Sequence, residues 1–264
     1  MMIFPADSAG WERLLKAALL VCIRISGLFV FAPVFSSEAI PPKVKSVFLL
    51  MLTVVLAPAA AALPGSHVDV DLRSILGELA VAALLGLSLA MLNELASLAG
   101  QVLGMQFSFS LVNLLDPNSK VETPLLAQML SLLEVTVLLA AGLHRTMLGA
   151  LLHTFLVVPL GSGLALRDAG LHLVASMSGV FLAALQLAAP VMAATLLVEI
   201  GIALMSRVSP QLPVLALSVP AKTVIGYGVL LGSLALWPTF FEARFDGLLN
   251  TAQGMLQDLA SHAS

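Results

Sequence analysis

Residues 171–197 read LHLVASMSGVFLAALQLAAPVMAATLL, and this stretch decides the fold class. No Asp, Glu, Lys or Arg occurs between Asp168 and Glu199. About 20 apolar residues in a helix are enough to cross the hydrocarbon core of a bilayer. Leucine and alanine dominate the stretch, and both residues favour helix. The alternating pattern of a membrane β-strand is absent. The stretch therefore predicts a transmembrane helix.

The rest of the chain has the same character. Of its 264 residues, 59% are hydrophobic and only 10% are charged, and the mean hydropathy is +1.05. A soluble domain carries about a quarter charged residues, so this chain lacks the polar surface that water requires. The net charge is −3 and the sequence contains no basic block, which argues against nucleic acid as a partner. The composition predicts an integral membrane protein.

Six apolar stretches approach the length of a span, and a seventh is long but interrupted: Leu14–Val34, Ser46–Leu63, Ile75–Leu92, Leu125–Leu143, Met147–Leu166, Leu171–Leu197 and the interrupted Val214–Phe241. Prolines fall inside or at the edge of these runs, and each one predicts a kink or a break: Pro33, Pro58, Pro190, Pro220 and Pro238. Broken helices persist in a membrane where neighbouring protein or water satisfies their carbonyls. The alternative is that proline is simply commoner in membrane helices.

The predicted fold is an all-α membrane bundle of broken apolar helices and helical hairpins. No composition shift or repeat separates a second domain, so residues 1–264 are expected to form a single helical unit. The tail, residues 242–264, is more polar than the rest and is predicted to be an amphipathic helix.

Charged side chains within or beside the apolar runs are the first candidates for a functional role. An unpaired charge at membrane depth costs about 3 kcal/mol, so such residues usually face an interior and find a partner. One interpretation is a polar path or proton relay. The other, which we favour, is a set of structural pairs and subunit contacts, because isolated glutamates on different helices do not by themselves form a relay. The residues are Arg24, Glu78, Glu94, Glu134, Glu199 and Lys222.

Catalytic signatures are absent from the sequence. There is no H-E-x-x-H motif and no P-loop. Cys22 is the only cysteine, which excludes a metal site made of several thiolates. The five histidines are dispersed, and no pair of them has helical i,i+4 spacing. We therefore expect no enzyme activity, no metal and no cofactor.

The stretch Ala99–Pro124, AGQVLGMQFSFSLVNLLDPNSKVETP, is the least regular part of the chain. It is uncharged from Leu95 to Leu115 but rich in Gly, Gln, Ser and Asn. That composition is too polar for a lipid-facing helix and too apolar for an ordinary solvent loop. From these residues alone, a pore-facing constriction and an irregular buried link are equally good interpretations.

Short motifs along nearly the whole chain resemble, in order and spacing, those of the FliR family, the export-gate subunit of bacterial flagellar and related type III secretion systems. Each motif is weak alone, and the joint order makes the resemblance specific. The motifs are Arg24–Gly27, Ala32–Phe35, Ile40–Lys43, Ala99–Gln101, Phe107-Ser108, Asp116-Pro117, Gly142–His144, Phe155, Pro159–Gly161, Ala189-Pro190, Ser209–Leu212 and Pro220–Lys222.

The resemblance implies a non-enzymatic subunit that packs in a hetero-oligomeric ring in the bacterial inner membrane, at the flagellar basal body. The implied partners are FliP-type and FliQ-type subunits, other export-apparatus membrane proteins, membrane lipid and the unfolded export substrates that the gate passes. Arg24, Lys43 and Lys222 match charged positions of the family. A plug-like loop of the family matches Met105, Gln106, Phe107, Ser108, Phe109, Ser110, Leu111, Val112 and Asn113.

The sequence departs from the family at one position and leaves one rival open. Pro213 follows Pro-Gln-Leu, where the family commonly has Asn, and it removes a side-chain hydrogen bond. The flagellar branch is favoured over the injectisome branch. The rival function is a small-molecule secondary transporter that works alone or as a homo-oligomer, with an internal repeat and convergent charges at the midplane.

Overall fold

The computed structural model describes residues 8–37, 40–107, 125–162, 166–209, 211 and 214–263. Every regular element in these ranges is helical, which confirms the all-α class. The helices are α1 Ser8–Phe31, α2 Pro33–Ser36, α3 Pro42–Ala61, α4 Leu72–Gln106, α5 Leu125–Ala140, α6 Leu143–Val157, α7 Leu166–Val208, α8 Val214–Ser233, a 3-10 turn Leu234–Leu236, and α9 Trp237–Ala263.

Membrane-length helices account for most of the described chain. Five segments are long and apolar enough to cross a bilayer, which confirms the membrane class: Ser8–Phe31, Pro42–Ala61, Leu72–Gln106, Gly179–Val208 and Leu217–Asp258. The helix predicted to end near Leu92 continues to Gln106, so the first part of the polar stretch is helical. The predicted interruption of the last run is the 3-10 turn.

Two of the predicted spans are too short to cross the membrane separately. In place of Leu125–Leu143 and Met147–Leu166, the structure has α5 with 16 residues and α6 with 15. At 1.5 Å per residue each helix is about 24 Å long or less, against a hydrocarbon core of about 30 Å. The two helices are bent by 75°. The bend lies at Gly142, whose φ of 73° is accessible to a residue without a Cβ.

The prolines interrupt the helices less than predicted. Pro58, Pro190 and Pro220 lie inside helices that continue through them, so the chain has no break at these positions and a kink there stays a prediction. Pro33 and Pro238 occupy the first and second residues of their helices. A proline costs little there, because the first N–H groups of a helix have no partner within the helix.

The structure divides into two compact units. The first comprises Met1–Leu92, Leu138–Met177 and Arg244–Ser264, and the second comprises Asn93–Val137 and Ser178–Ala243. In the first unit α1 crosses α4 at two glycines. A Cβ atom on Gly27 would overlap the backbone of Ala82, and one on Gly86 would overlap the carbonyl of Gly27. Glycine therefore allows the two backbones to touch, as is common between membrane helices.

Helix α4 begins with a side-chain cap in the first unit. The Oδ1 atom of Asp71 accepts a hydrogen bond of 2.8 Å from the backbone N–H of Ser74. This satisfies one of the N–H groups that a helix leaves free at its start. The hydrogen bonds from the Ser74 side chain and backbone also lower the pKa of the Asp71 carboxyl below its ordinary value.

The polar tail contributes an apolar stripe to the first unit. Phe245, Leu249 and Ala252 of α9 are buried at helical spacing, and Met255 and Leu256 continue the stripe. Met255 and Leu256 belong to a buried cluster with Val81, Leu84 and Val158. The charged residues of this tail occupy the positions between the buried ones and are not buried themselves, as in an amphipathic helix.

Close packing in the second unit depends on one glycine of the Gly100-xxx-Gly104 pair. A Cβ atom on Gly100 would overlap the backbone of Ala127 in α5, whereas a Cβ atom on Gly104 would meet nothing within 4 Å. Gly228 and Gly232 likewise have open space at their Cβ positions. Only Gly100 of these four therefore makes a backbone contact among the described residues.

We predict that Gly100→Ala destabilises the chain and that Gly104→Ala, one turn away, does not. The added methyl of G100A must push α5 off α4, at a cost of about 1–3 kcal/mol. The methyl of G104A meets no described atom within 4 Å and stabilises the helix by up to about 1 kcal/mol. Thermal unfolding of both variants in the same detergent measures the difference. Equal unfolding temperatures would contradict the contact.

Candidate functional site

The first unit is built around a buried ion pair between α1 and α4. The Nε of Arg24 donates to Oε2 of Glu78 at 2.5 Å, and Nη2 donates to Oε1 at 2.9 Å. The two side chains are 1% and 0% exposed. A two-point contact of this kind fixes both the distance and the orientation of the guanidinium. Arg24 and Glu78 were predicted from the sequence separately, and the structure brings them together.

The rest of the Arg24 guanidinium binds the end of α6. Its Nη1 donates to the carbonyl oxygens of Val158 at 2.8 Å and Thr154 at 3.2 Å. The last carbonyls of a helix lack intrahelical partners, and a cation at this end also meets the negative pole of the helix dipole. The guanidinium carbon lies 4.4 Å from the centroid of the Phe155 ring, within cation–π distance.

The Glu78 carboxylate also fixes the turn that follows α6. Its Oε1 accepts a hydrogen bond of 2.8 Å from the backbone N–H of Gly161. Gly161 has a φ of 76°, and a Cβ atom there would overlap the carbonyl of His67. The N–H of His67 in turn donates to Leu160 at 2.8 Å. Gly161 is thus needed both for its conformation and for the close approach of the 66–70 link.

A second ion pair joins α7 and α8 in the second unit. Lys222 donates to Oε1 of Glu199. The Lys222 side chain is 16% exposed and that of Glu199 is 51% exposed, so this pair is more open than the one at Arg24. Lys43 is exposed in the first turn of α3.

The two remaining acidic candidates form no ion pair with a described residue. Glu94 is exposed on α4, and Glu134 on α5 is fully buried. Neither oxygen of Glu134 has a hydrogen-bond partner within the described ranges. Among the described residues the six candidate charges thus form two ion pairs, and Glu94 and Glu134 have no cation as a partner. In these ranges no three His, Cys, Asp or Glu side chains converge to hold a metal ion.

The beginning of the predicted plug is anchored to α7 and α8. Gln106 accepts a hydrogen bond of 3.1 Å from Oγ1 of Thr195. Phe107 is 3% exposed and stacks on Tyr227, with ring centroids 4.7 Å apart and planes 2° from parallel. The Phe107 ring also covers Gly226, where a Cβ atom would overlap it. Met105 is 65% exposed. Residues 108–113 of the predicted plug lie outside the described residues.

Sequence analysis missed the residues that hold Phe107. Tyr227 is the only tyrosine of the chain, and Gly226 precedes it within an apolar run. Neither residue stands out, because a single aromatic residue beside a glycine is ordinary in a membrane helix. Their importance comes from a contact between positions 120 residues apart in the chain, which a local pattern cannot reveal.

Comparisons with known proteins match nearly the whole chain. The family model described as bacterial export proteins, family 1, matches residues 15–248. The chain is similar to the flagellar biosynthetic protein FliR of Escherichia coli (strain K12), with 26% identity over 97% of this chain and 99% of that protein. It is similar to FliR of Bacillus subtilis (strain 168), with 26% identity over 92% and 95%. It is also similar to the Yop proteins translocation protein T of Yersinia pestis, with 26% identity over 81% and 84%.

We predict that breaking the Arg24–Glu78 pair from one side destabilises the chain strongly. Arg24→Met or Glu78→Gln leaves a buried charge without its partner, at a cost of about 3–5 kcal/mol. The double variant R24M/E78Q removes both charges and should lose less stability than the sum of the two single effects. Thermal unfolding of the purified chain in detergent gives all three values.

The exposed pair of Lys16 and Glu12, 2.7 Å apart on α1, provides the control. Glu12→Gln should leave the unfolding temperature unchanged, because solvent screens this pair. Additive losses in R24M and E78Q would show that the two buried side chains act independently and would contradict the pair.

Proposed function

Because the chain belongs to the family of bacterial export proteins, family 1, we propose that it is a non-enzymatic core subunit of the type III protein export gate. In this role it resides in the bacterial inner membrane and helps unfolded export substrates to pass during flagellar assembly. The observation that carries the proposal is the family match over residues 15–248, together with FliR relatives that are similar over almost their full length.

The uncovered apolar surface of the chain supports a role as one subunit among several. In the most apolar window of each helix, 67% of residues are buried for Leu72–Gln106, but only 17% for Pro42–Ala61 and 22% for Gly179–Val208. Such surfaces require lipid or another protein. A cavity of about 420 Å³ between α3 and α6 is lined by apolar side chains and His153 and adds to this surface.

We assign these surfaces to contacts with other helical membrane subunits of the gate, of the FliP and FliQ types, and to lipid at the periphery. A membrane helix has no hydrophobic gain from leaving lipid, so shape and small residues decide which faces associate. Helix α3 presents Val47, Leu50, Met51, Val54 and Val55 as an exposed apolar face of this kind.

Within the gate, we assign the resting seal to Met105–Asn113. The described start of this segment is consistent with that role, because Phe107 is held between Gly226 and Tyr227 instead of facing lipid. A seal against small solutes needs apolar side chains that stay in place. Stacking of two aromatic rings contributes about 0.5–1.5 kcal/mol beyond the burial of their surface.

We predict that the tagged chain, co-expressed with its candidate partners and extracted gently, is found by native mass spectrometry as one copy in a larger hetero-oligomer of helical subunits. The exposed faces of α3 and α7 are the physical reason. A monomer or a homo-oligomer in the presence of abundant partners would contradict the export-gate role. That outcome would favour the secondary transporter.

We predict that Gly226→Ala makes the assembled complex leak to ions, whereas Gly228→Ala does not. The methyl of G226A would occupy the position of the Phe107 ring and displace it, whereas the Cβ position of Gly228 has no described neighbour within 4 Å. Conductance of the reconstituted complex compares the two variants, after native mass spectrometry has shown that both assemble. An intact barrier in an assembled G226A complex would count against a seal anchored at Phe107.

A further inference from the structure

The buried carboxyl of Glu134 occupies a core position of α5. Leu126, Ala127 and Leu130 are buried on the same face, and Glu134 follows Leu130 by one turn with an exposure of 0%. An apolar residue would be expected at this position. Within the described ranges neither carboxyl oxygen has a hydrogen-bond partner, so the usual compensation for a buried polar group is missing there.

Helices α4 and α5 bring Glu134 close to a second carboxyl. Gly100 of α4 lies against Ala127 of α5. Six residues back from Gly100 along α4 is Glu94, and seven residues on from Ala127 along α5 is Glu134. In an antiparallel pair these positions come opposite each other. This register places the Glu94 carboxyl as the charged neighbour of Glu134.

An ionised Glu134 would be unfavourable in these surroundings. A buried carboxylate without a cation or a hydrogen bond costs several kcal/mol or more, and in practice such a group takes up a proton instead. Glu94 would add repulsion between like charges. Lys222, a cation of the same unit, is already paired with Glu199.

We propose that Glu134 is a proton-binding site of the second unit. Its carboxyl carries a proton while α4 and α5 are packed at Gly100 and Ala127, and it releases that proton to water only when the two helices separate. The O–H bond of the acid breaks, the electron pair stays on the carboxylate, and the proton goes to a water molecule.

The position of the site gives the proton a role at the seal, and this step rests on the proposed function. Helix α4 leads into the segment assigned to the seal, and α5 begins at Leu125, after it in the chain. Holding α4 against α5 therefore constrains both ends of the chain between them. The proton site itself does not depend on this step.

Infrared spectroscopy of the purified full-length chain tests the proposal. A protonated carboxylic acid has a carbonyl stretching band that a carboxylate lacks. We expect this band in the wild-type chain at pH 8, its loss in Glu134→Gln, and its retention in the control Glu94→Gln. A wild-type chain without the band, or an E134Q chain that keeps it, would overturn the proposal.

The dependence of stability on pH supplies a second measurement. An unfolded glutamate loses its proton near pH 4.3, and the folded chain holds the proton above that value, so the wild-type chain should lose stability as the pH rises. Relative to E134Q, the folding equilibrium constant should fall about tenfold per pH unit. The same pH dependence in both chains would contradict the site.

Two neutral replacements of Glu134 keep the proposal testable if one variant fails to fold. A neutral carboxyl should be replaceable by a neutral side chain of similar size, so failure of both E134Q and Glu134→Leu to fold would also overturn the proposal. Because the band is read on the chain alone, its presence in a chain that captures no partner subunits would count against the proposed function only.

Discussion

The buried Arg24–Glu78 pair is the constraint on which the first unit depends. A guanidinium in an apolar interior must have its charge compensated and its donors occupied. Glu78 supplies the charge, and the carbonyls of Thr154 and Val158 at the end of α6 accept the remaining hydrogen bonds of the guanidinium. The pair therefore determines where α6 ends relative to α1 and α4, and Glu78 extends the constraint to Gly161.

Small residues make this polar arrangement possible. The guanidinium reaches Glu78 because the backbones of α1 and α4 touch at Gly27 and Gly86. Lipid chains are as apolar as leucine, so membrane helices gain little from hydrophobic association alone. Their positions are set by close contact and by polar partners. Gly100 and Ala127 provide the close contact between α4 and α5 in the second unit.

Composition and hydropathy were sufficient to predict the membrane class and the helical fold, because the 171–197 stretch allows no other interpretation. They could not predict the break between α5 and α6, since it depends on the left-handed conformation of Gly142 and not on polarity. The candidate charges were recognisable individually from their apolar surroundings. Their pairing was not, because Arg24 and Glu78 are 54 residues apart. The contact of Phe107 with Tyr227 left no signal in the local sequence.

The two units use their polar groups differently, and the difference suits an export subunit. In the first unit each nitrogen of the Arg24 guanidinium donates to the Glu78 carboxylate or to a backbone carbonyl, and breaking the pair would cost about 3–5 kcal/mol. In the second unit the Lys222–Glu199 pair is partly exposed, and Phe107 stacks on Tyr227 and covers Gly226. These weaker contacts can rearrange for a few kcal/mol in total. The proposed seal must open for a substrate and close again, and contacts of that strength suit such a role.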